Sequence, residues 1–257
     1  MSFKVLQFNM QFGQTWREHD PDHAPIDLDQ TIAEIQSHGA DLIMLQEVER
    51  ATPGWTQPLL PSNYLRLKQA LRGYDGYSEF PRTDERELPF GIGLAIFSKT
   101  PLRDHLRIDV PSPPVEFSFG GKKTTPTDRV LIAATTTLDG REVRLMNTHL
   151  LALFMLGSGS EAQYPEQRRQ VVDLLRREPG PALLSGDFNV SRYDSLVHDF
   201  AVAGCKTVQF AKATWRRRPF VLDHIFYNTH LRCLRHEVKP TLASDHHVLA
   251  AEFEINY

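Results

Sequence analysis

Leu183 to Ser191 read LLSGDFNVS, and this stretch decides how the rest of the chain is interpreted. Its apolar first half is typical of a buried strand. The strand pattern runs into a short loop in which Asp187 and Asn189 stand two residues apart, so both side chains point the same way along an extended chain. A turn would explain this pair alone, because Gly, Asp and Asn favour turns. The same pattern recurs elsewhere, and the recurrence favours a functional site.

The composition predicts a soluble globular protein. The chain has 257 residues, of which 41% are hydrophobic and 24% charged, so it is long enough to bury a large core. A net charge of −3 gives no sign of general nucleic-acid binding. Cys205 and Cys233 lack the spacing of a metal site or a disulfide framework. With neither a signal-peptide pattern nor an apolar run long enough to span a bilayer, we expect a cytoplasmic protein.

Strand-like and helix-like patterns alternate along the chain, with no repeat and no linker to divide it. The strand-like runs outnumber the helical ones, which predicts a single α/β domain over residues 1–257, built on two packed sheets with helices outside. Residues 103–128 are predicted to be irregular apart from a hairpin. The strand-like runs are residues 3–8, 41–46, 91–98, 129–138, 142–150, 181–188, 222–228 and 247–255, and the helical patterns are residues 27–39, 62–73 and 165–178.

Ionisable or amide residues stand at the ends of six of these strand-like runs. Burying such groups without partners costs a few kcal/mol each, so we expect them to converge and satisfy one another or a ligand. Singly, each has a simpler explanation, such as a turn, a cap or an ordinary half-buried histidine. Together, six coincidences favour a site. The residues are Asn9, Glu47, His149, Asp187 with Asn189, Asp223, and Asp245 with His246.

These residue types predict a particular chemistry. Carboxylate and amide oxygens with few thiols favour Mg²⁺ or Mn²⁺. A carboxylate paired with a histidine suits general acid–base catalysis, because the carboxylate orients the imidazole. Two histidines and an amide suit the spread negative charge of a phosphoryl transition state. Together these groups predict hydrolysis of a phosphoester by an activated water.

In their order along the chain, these motifs resemble the endonuclease/exonuclease/phosphatase superfamily, which has the deoxyribonuclease-I-like fold. The resemblance covers essentially the whole chain. It implies an α/β fold of two packed, mainly antiparallel β-sheets flanked by helices, a four-layer α-β-β-α sandwich. The motifs are LQFNMQ at residue 6, LQEVE at residue 45, MNTHL at residue 146, SGDFN at residue 185, LDHIF at residue 222 and SDHH at residue 244.

The resemblance implies a metal site that holds Mg²⁺ or Mn²⁺. Glu47 would be the principal ligand, with Asn9 in support and Asp245 in or beside the site. Asp187 would contact the metal and orient or deprotonate the attacking water. Asn189 would contact the phosphate and the metal.

The resemblance also implies groups that act on the substrate. His149 would donate to a phosphate oxygen, and His246, held by Asp223, would act on the scissile phosphate. Arg129 matches an arginine frequent in bacterial members and would face the substrate, although a salt bridge at the sheet edge is an equal alternative. His247 follows the SDH motif and is expected to be a flanking group.

Two departures narrow the subfamily. Thr148-His149-Leu150 has the form found in deoxyribonuclease I, sphingomyelinases, inositol-phosphate phosphatases, tyrosyl-DNA phosphodiesterases and deadenylases. Abasic-site endonucleases carry Tyr-x-Pro-Asn there, so that activity is not expected. Many members have Gly-Asn-Ala where this chain has Gly93-Leu94-Ala95, which removes an amide contact.

The apolar run LLALFML at residues 150–156 leaves the substrate open to alternatives. It either packs on the body or a neighbouring subunit, or forms an apolar wall for a lipid-like or aromatic leaving group and a peripheral lipid contact. The second alternative predicts a small or lipid-linked phosphodiester as substrate. The segment KATWRRRPF at residues 212–220 favours a nuclease instead, since Trp215 and its three arginines could clamp a nucleic-acid backbone. A third alternative is an inactive binding or scaffold protein.

Overall fold

The apolar runs become the interior strands of two sheets. We describe a computed structural model of the chain over residues 2–52, 62–156 and 160–256. Its strands are β1 Ser2–Asn9, β2 Leu42–Arg50, β3 Asp75–Glu79, β4 Gly91–Ser98, β5 Arg103–Val110, β6 Phe117–Phe119, β7 Lys122–Thr124, β8 Arg129–Leu138, β9 Arg141–His149, β10 Ala182–Asp187, β11 Lys206–Thr207, β12 Asp223–Tyr227, β13 Leu231–Lys239 and β14 Val248–Ile255. Its helices are α1 Leu28–Ser37, α2 Asn63–Ala70, α3 Ser160–Gln163, α4 Glu166–Arg176 and α5 Tyr193–Val202, with 3-10 turns at Gln11–Gly13 and Leu153–Met155.

Two six-stranded sheets share one arrangement. Sheet 1 has the order β13-β14-β1-β2-β4-β3, and sheet 2 has the order β11-β12-β10-β9-β8-β5. Each has one parallel pair at its centre, β1 with β2 and β9 with β10. All other neighbours are antiparallel. The prediction of two mainly antiparallel sheets is confirmed.

The sheets pack face to face and helices cover their outer faces. Val5 and Met44 of sheet 1 meet Leu145 and Ile225 of sheet 2 in the central core. Outside, α1 and α2 pack on sheet 1, while α4 and α5 pack on sheet 2. Because the central strands are covered on both faces, they are apolar almost throughout. The predicted four-layer α-β-β-α sandwich is confirmed.

The structure corrects the expectation for residues 103–128. The predicted hairpin is present as β6 and β7. The residues before it are not irregular, because Arg103–Val110 forms β5 at the edge of sheet 2. Its first four residues are solvent-exposed, and an exposed strand carries no apolar pattern to identify it.

Among the described residues, no helix has both the length and the apolar character needed to cross a membrane.

Candidate active site

The central strands of both sheets end at the same end of the sandwich, where their last residues face each other. Asn9 ends β1 and Asp187 ends β10, and Asn9 Nδ2 donates to Asp187 Oδ2 at 3.0 Å. The same Asn9 amide donates to Glu47 Oε1 of β2 at 3.0 Å. His149 ends β9, and its Nε2 lies 3.6 Å from Asp187 Oδ2 and 3.9 Å from Glu47 Oε1. Four of the predicted site residues therefore form one contact cluster.

A histidine–aspartate pair completes this cluster. His246 lies just before β14 and Asp223 begins β12, with His246 Nδ1 2.8 Å from Asp223 Oδ2. Because an ionised carboxylate can only accept, the ring nitrogen is the donor. His246 Nε2 then points to Asp187, 3.7 Å from its Oδ2. All three side chains are buried. Asp187 belongs to both groups of possible metal ligands, which are Glu47–His149–Asp187 and Asp187–Asp223–His246.

A bulge in β2 turns Glu47 into the site. The register between β2 and β4 shifts between Gln46 and Glu49, and Glu47 has a positive φ of 50°. A positive φ is uncommon outside glycine, and bulges often re-aim side chains beside active sites. Gly91 on β4 provides the space, because a Cβ added there would lie 1.9 Å from Glu47 Oε2. This close approach requires glycine.

The loop after β10 forms the turn expected of SGDFN and also directs the Asp187 carboxylate into the cluster. Asp187 Oδ1 accepts the backbone N–H of Asn189 at 3.0 Å, which is an Asx-type turn, while Oδ2 faces the cluster. Asn189 has a φ of 50°, and its Nδ2 donates to the Leu150 carbonyl at 3.1 Å. Its contact with a phosphate stays a prediction. Gly186 is required by a close approach, since an added Cβ would lie 2.3 Å from the Thr148 carbonyl oxygen.

Asp245 lies beside the cluster rather than within it. Its Oδ2 accepts the Trp215 indole N–H at 3.1 Å and Arg217 Nε at 3.0 Å. Arg217 also pairs with Asp22 at 2.7 Å. Neither group of possible ligands includes Asp245. Its role as a metal ligand stays a prediction.

Burial raises the pKa of both carboxyls at the centre of the site. It raises the pKa of Asp187 to about 8, and the neighbouring carboxylates of Asp223 and Glu47 act in the same direction. It also raises the pKa of Glu47, with Asp245 as the next cause. Buried acids that repel one another favour a bound cation.

The pKa values of the two histidines shift in opposite directions. Burial lowers the pKa of His149 well below its usual value, and the nearby Arg129 and His246 lower it further. Burial alone would lower the pKa of His246 as well, but the carboxylates of Asp223 and Asp187 outweigh it and raise that pKa well above the usual value. These directions favour a neutral His149 and a protonated His246.

Arg129 and His247 flank the site. Arg129 opens β8, half-buried, and its Nε has no hydrogen-bond partner among the residues that the structure describes. Its charge lowers the pKa of His149, and its contact with a substrate stays a prediction. The His247 backbone N–H donates to the Thr214 carbonyl at 2.7 Å. His247 belongs to neither group of possible ligands.

Three aromatic side chains pack together, and one of them lies next to His246. The Phe154 ring lies 6.0 Å from that of Trp215 and 5.4 Å from that of Phe220, and the Trp215 ring lies 6.4 Å from that of His246. We call Phe154, Trp215 and Phe220 the aromatic cluster. Of the apolar run at 150–156, Leu150, Leu151 and Leu153 are buried in the body, whereas Met155 is 68% exposed. Part of this run therefore packs on the body, whereas its role as an apolar wall or a lipid contact stays a prediction.

Two of the three neighbouring arginines are engaged within the protein. Arg216 Nε donates to the Thr241 carbonyl at 3.0 Å, and Arg217 pairs with acids as described above. Both guanidinium groups lie over the Trp16 ring, at 5.8 and 5.7 Å. Arg218 lies over the Phe220 ring at 5.9 Å.

Sequence reasoning missed three buried amides directly behind the site, Gln7, Gln46 and Asn147. A signal was present, because each is a polar residue inside an otherwise apolar run. Gln7 and Asn147 also precede Asn9 and His149 by two positions, and therefore share their face of the strand.

Comparisons with known proteins agree with this fold and give the family. The sequence model of the Endonuclease/Exonuclease/phosphatase family matches residues 6–246. A structure described as an endonuclease/exonuclease/phosphatase from Beutenbergia cavernae superposes with a TM-score of 0.77 at 21% identity, covering 99% of this chain and 72% of that one. TDP2 of D. rerio complexed with a single-strand DNA product superposes with a TM-score of 0.65 at 18% identity, covering 98% and 99%.

Curated relatives match a shorter part of the sequence. A UPF0294 protein of Yersinia pseudotuberculosis is 36% identical over 121 residues, which are 45% of this chain and 44% of that protein. The match thus spans less than half the length of this relative.

Proposed function

Since the chain belongs to the Endonuclease/Exonuclease/phosphatase family, we propose that it is a divalent-metal-dependent phosphodiesterase that hydrolyses a small or lipid-linked phosphodiester with an activated water. The membership inferred from six short motifs is confirmed. The observation that carries the proposal is the convergence at Asp187. Two groups of possible ligands share this residue, and within each group the ligand atoms lie within 4.8 Å of one another.

The donor set fits a hard divalent cation. Asp187 offers a buried and Glu47 a half-buried carboxylate oxygen, and Asn9 bridges them through its amide. Oxygen donors of this kind suit Mg²⁺ or Mn²⁺. When bound, such an ion supplies positive charge at the phosphate and lowers the pKa of a water. Asp245, next to the cluster, is proposed as a further contributor.

The side chains of the site also transfer protons and contact the phosphate. Asp187 orients the attacking water and accepts its proton, because a cation bound beside the carboxyl would favour its ionised form. His246 is protonated and donates through Nε2, while Asp223 holds its Nδ1. His149, which is neutral, donates one hydrogen bond to a phosphate oxygen, and Asn189 and Arg129 are proposed as further substrate contacts.

The aromatic cluster favours an apolar or aromatic group on the substrate. Its Trp215 ring lies beside His246, where the leaving group would be, and Met155, next to Phe154 in the sequence, is exposed. The arginine segment is less suited to clamp a nucleic acid, because Arg216 and Arg217 are already engaged. Residues 150–156 are accordingly proposed as the peripheral lipid contact, made through the exposed Met155 rather than through the buried leucines.

A nuclease is the second candidate. It is favoured by the likeness to TDP2 of D. rerio, whose structure contains a single-strand DNA product, although at 18% identity this likeness concerns the fold. Arg218, unlike Arg216 and Arg217, contacts an aromatic ring of its own loop, that of Phe220.

A substrate panel separates the candidates. Rates are measured with Mn²⁺ or Mg²⁺ on bis-p-nitrophenyl phosphate, phosphodiester lipids in detergent, plasmid and a single-stranded oligonucleotide. EDTA, Asp187→Ala and His246→Ala serve as controls. We expect metal-dependent hydrolysis of the small or lipid-linked phosphodiesters to be fastest. Faster cleavage of plasmid or oligonucleotide would establish the nuclease, and no hydrolysis of any substrate would indicate a binding protein.

A further inference from the structure

A row of buried amides connects the two sheets behind the site. Gln46 Nε2 donates to Asn147 Oδ1 at 2.7 Å, and Gln7 Nε2 donates to Gln46 Oε1 at 2.7 Å. Gln7 Nε2 also donates to Asp223 Oδ1 at 2.9 Å. We call Asn147, Gln46 and Gln7 the amide chain. All three residues are fully buried, so no bulk water competes for these bonds.

The direction of the amide chain is set at its far end. Asn147 Nδ2 donates to the backbone carbonyls of Leu45 at 2.9 Å and Ala95 at 3.1 Å. Since carbonyls only accept, Asn147 must present its oxygen to Gln46. Gln46 must then donate to Asn147 and present its own oxygen to Gln7. The Gln7 amide is thereby oriented to donate towards Asp223.

Gln7 keeps this orientation at a cost. Its Oε1 has no hydrogen-bond partner within the described ranges, although the side chain is fully buried. A flipped amide would gain nothing, because its oxygen would then face Gln46 Oε1 and Asp223 Oδ1, which are both acceptors. An unpaired buried carbonyl is unfavourable and is retained where it serves another purpose.

We propose that Gln7 is a positioning residue for the reaction. By donating to Asp223 Oδ1, it fixes the rotation of the carboxylate so that Oδ2 meets His246 Nδ1. The imidazole is then held with Nε2 towards Asp187 and the substrate. Among the described contacts, Gln7 is the donor to Oδ1, while Thr214 Oγ1 accepts the Asp223 backbone N–H at 3.0 Å. This role rests on the proposed function of His246.

A double-mutant cycle tests whether Gln7 acts through Asp223. Gln7→Met keeps the length of the side chain and removes the donor. On bis-p-nitrophenyl phosphate with Mn²⁺, we expect kcat to fall about 10- to 100-fold, as for other residues that orient a catalytic group, with KM within about twofold. In the Asp223→Ala background, the same substitution should cost less than about twofold, because the group it positions is gone. Full additivity of the two substitutions would overturn the proposal.

Asn228→Leu is the matched control. Asn228 is a buried amide at the opposite end of β12, where Nδ2 donates to the Gly180 carbonyl at 2.7 Å. Its replacement removes buried hydrogen bonds without contact with the site, so kcat should stay within about twofold. An equal fall in kcat for Gln7→Met and Asn228→Leu would reduce Gln7 to a structural residue.

A spectroscopic measurement separates this inference from the proposed function. In protein labelled with ¹⁵N-histidine, the Nδ1–H proton of His246 should give a downfield resonance, assigned by its loss in His246→Gln. We expect Gln7→Met to shift that resonance upfield or broaden it, and Asn228→Leu to leave it unchanged. An unchanged resonance in folded Gln7→Met overturns the positioning role. If the wild-type protein hydrolyses no phosphodiester, the proposed function fails while this result still decides the role of Gln7.

A second variant covers the case in which Gln7→Met does not fold. Gln46→Met removes the acceptor that orients Gln7 and leaves Gln7 itself intact. The same resonance should move in the same direction by a smaller amount. A folded Gln46→Met protein with an unchanged resonance would contradict the direction that we assign to the amide chain.

Discussion

The two sheets repeat one strand arrangement but carry different side chains at the end where the site lies. In strand order, β1 corresponds to β10, β2 to β9, and β14 to β12. Residues of corresponding strands, within the strand or beside its end, contact each other across the sandwich. Each contact joins two different chemical groups. The pairs are Asn9 with Asp187 at 3.0 Å, Glu47 with His149 at 3.9 Å, and His246 with Asp223 at 2.8 Å.

The different side chains on the two sheets explain why these polar groups can be buried together. Two carboxylates at corresponding positions would repel each other in a low-dielectric interior. Opposite each carboxylate stands instead an amide or an imidazole from the other sheet, which can donate to it. Because every pair crosses the sandwich, neither sheet holds a complete site. Each of the following predictions changes one residue in or beside the site, and they run from the largest expected effect to the smallest.

Asp187→Asn should have the largest effect, because both groups of possible ligands use this residue. Loss of a catalytic base typically lowers the rate by about 10²- to 10⁴-fold, and we expect about 10³-fold in kcat on bis-p-nitrophenyl phosphate. Asp173→Asn is the control, since Asp173 lies half-exposed on α4 and pairs with Arg176. A fall of less than tenfold in Asp187→Asn would place the base elsewhere.

Gly91→Ala should come next. The new Cβ would lie 1.9 Å from Glu47 Oε2, so the carboxylate must move away from Asn9 and His149. Displacement of a metal ligand is expected to weaken Mn²⁺ binding and kcat/KM by about 10- to 100-fold, by analogy with residues that orient ligands. Isothermal titration with Mn²⁺ measures the first and initial rates the second. Gly180→Ala, where an added Cβ meets nothing within 4 Å, should leave both unchanged.

Phe154→Ala should affect substrates unequally. Removing one ring of the aromatic cluster loses contact worth about 1 kcal/mol, or about fivefold in kcat/KM, for a lipid-linked phosphodiester. Dimethyl phosphodiesters, which have no apolar group to pack there, should lose less than twofold. Equal losses on both substrates would mean that Phe154 supports the fold of the loop rather than the substrate.

The smallest effect concerns stability and its pH dependence. The folded pKa of Asp187 is raised to about 8 from the ordinary 3.8. Between these values the folded protein retains a proton that the unfolded chain has lost, so this residue makes the metal-free protein less stable as pH rises. Asp187→Asn removes that contribution. In EDTA, the Tm of the variant minus that of wild type should therefore increase from pH 5 to pH 8, and a constant or decreasing difference would contradict the raised pKa.

The interior of each sheet could be predicted from the sequence, and its edges could not. All eight apolar runs are interior strands, because burial on both faces leaves a visible apolar pattern. The four strands that sequence reasoning missed are the four edges, β3, β5, β11 and β13. Edge strands bury few of their residues, as in β5, where one of eight is buried, and β13, where two of nine are buried. Helix α5 was also missed, and its N-terminus at Arg192 has no side-chain cap to signal a start.

The site was predictable where a polar residue follows an apolar run, since that change is local. Asn9, Glu47, His149 and Asp187 all stand at such points and lie together. The contacts of Asp245 with Trp215 and Arg217, and the amide chain, depend on how separate segments approach each other. No local pattern contains that information.

The most direct measurement is the initial rate of bis-p-nitrophenyl phosphate hydrolysis by wild type and Asp187→Asn across a Mn²⁺ titration that begins in EDTA. If the two sheets together form one metal-dependent site, wild type is inactive in EDTA and its rate rises to saturation with Mn²⁺. The Asp187→Asn rate then stays about 10³-fold lower at every Mn²⁺ concentration. Hydrolysis that is equally fast in EDTA, or equally fast in the variant, would contradict a site built on Asp187 and a divalent cation.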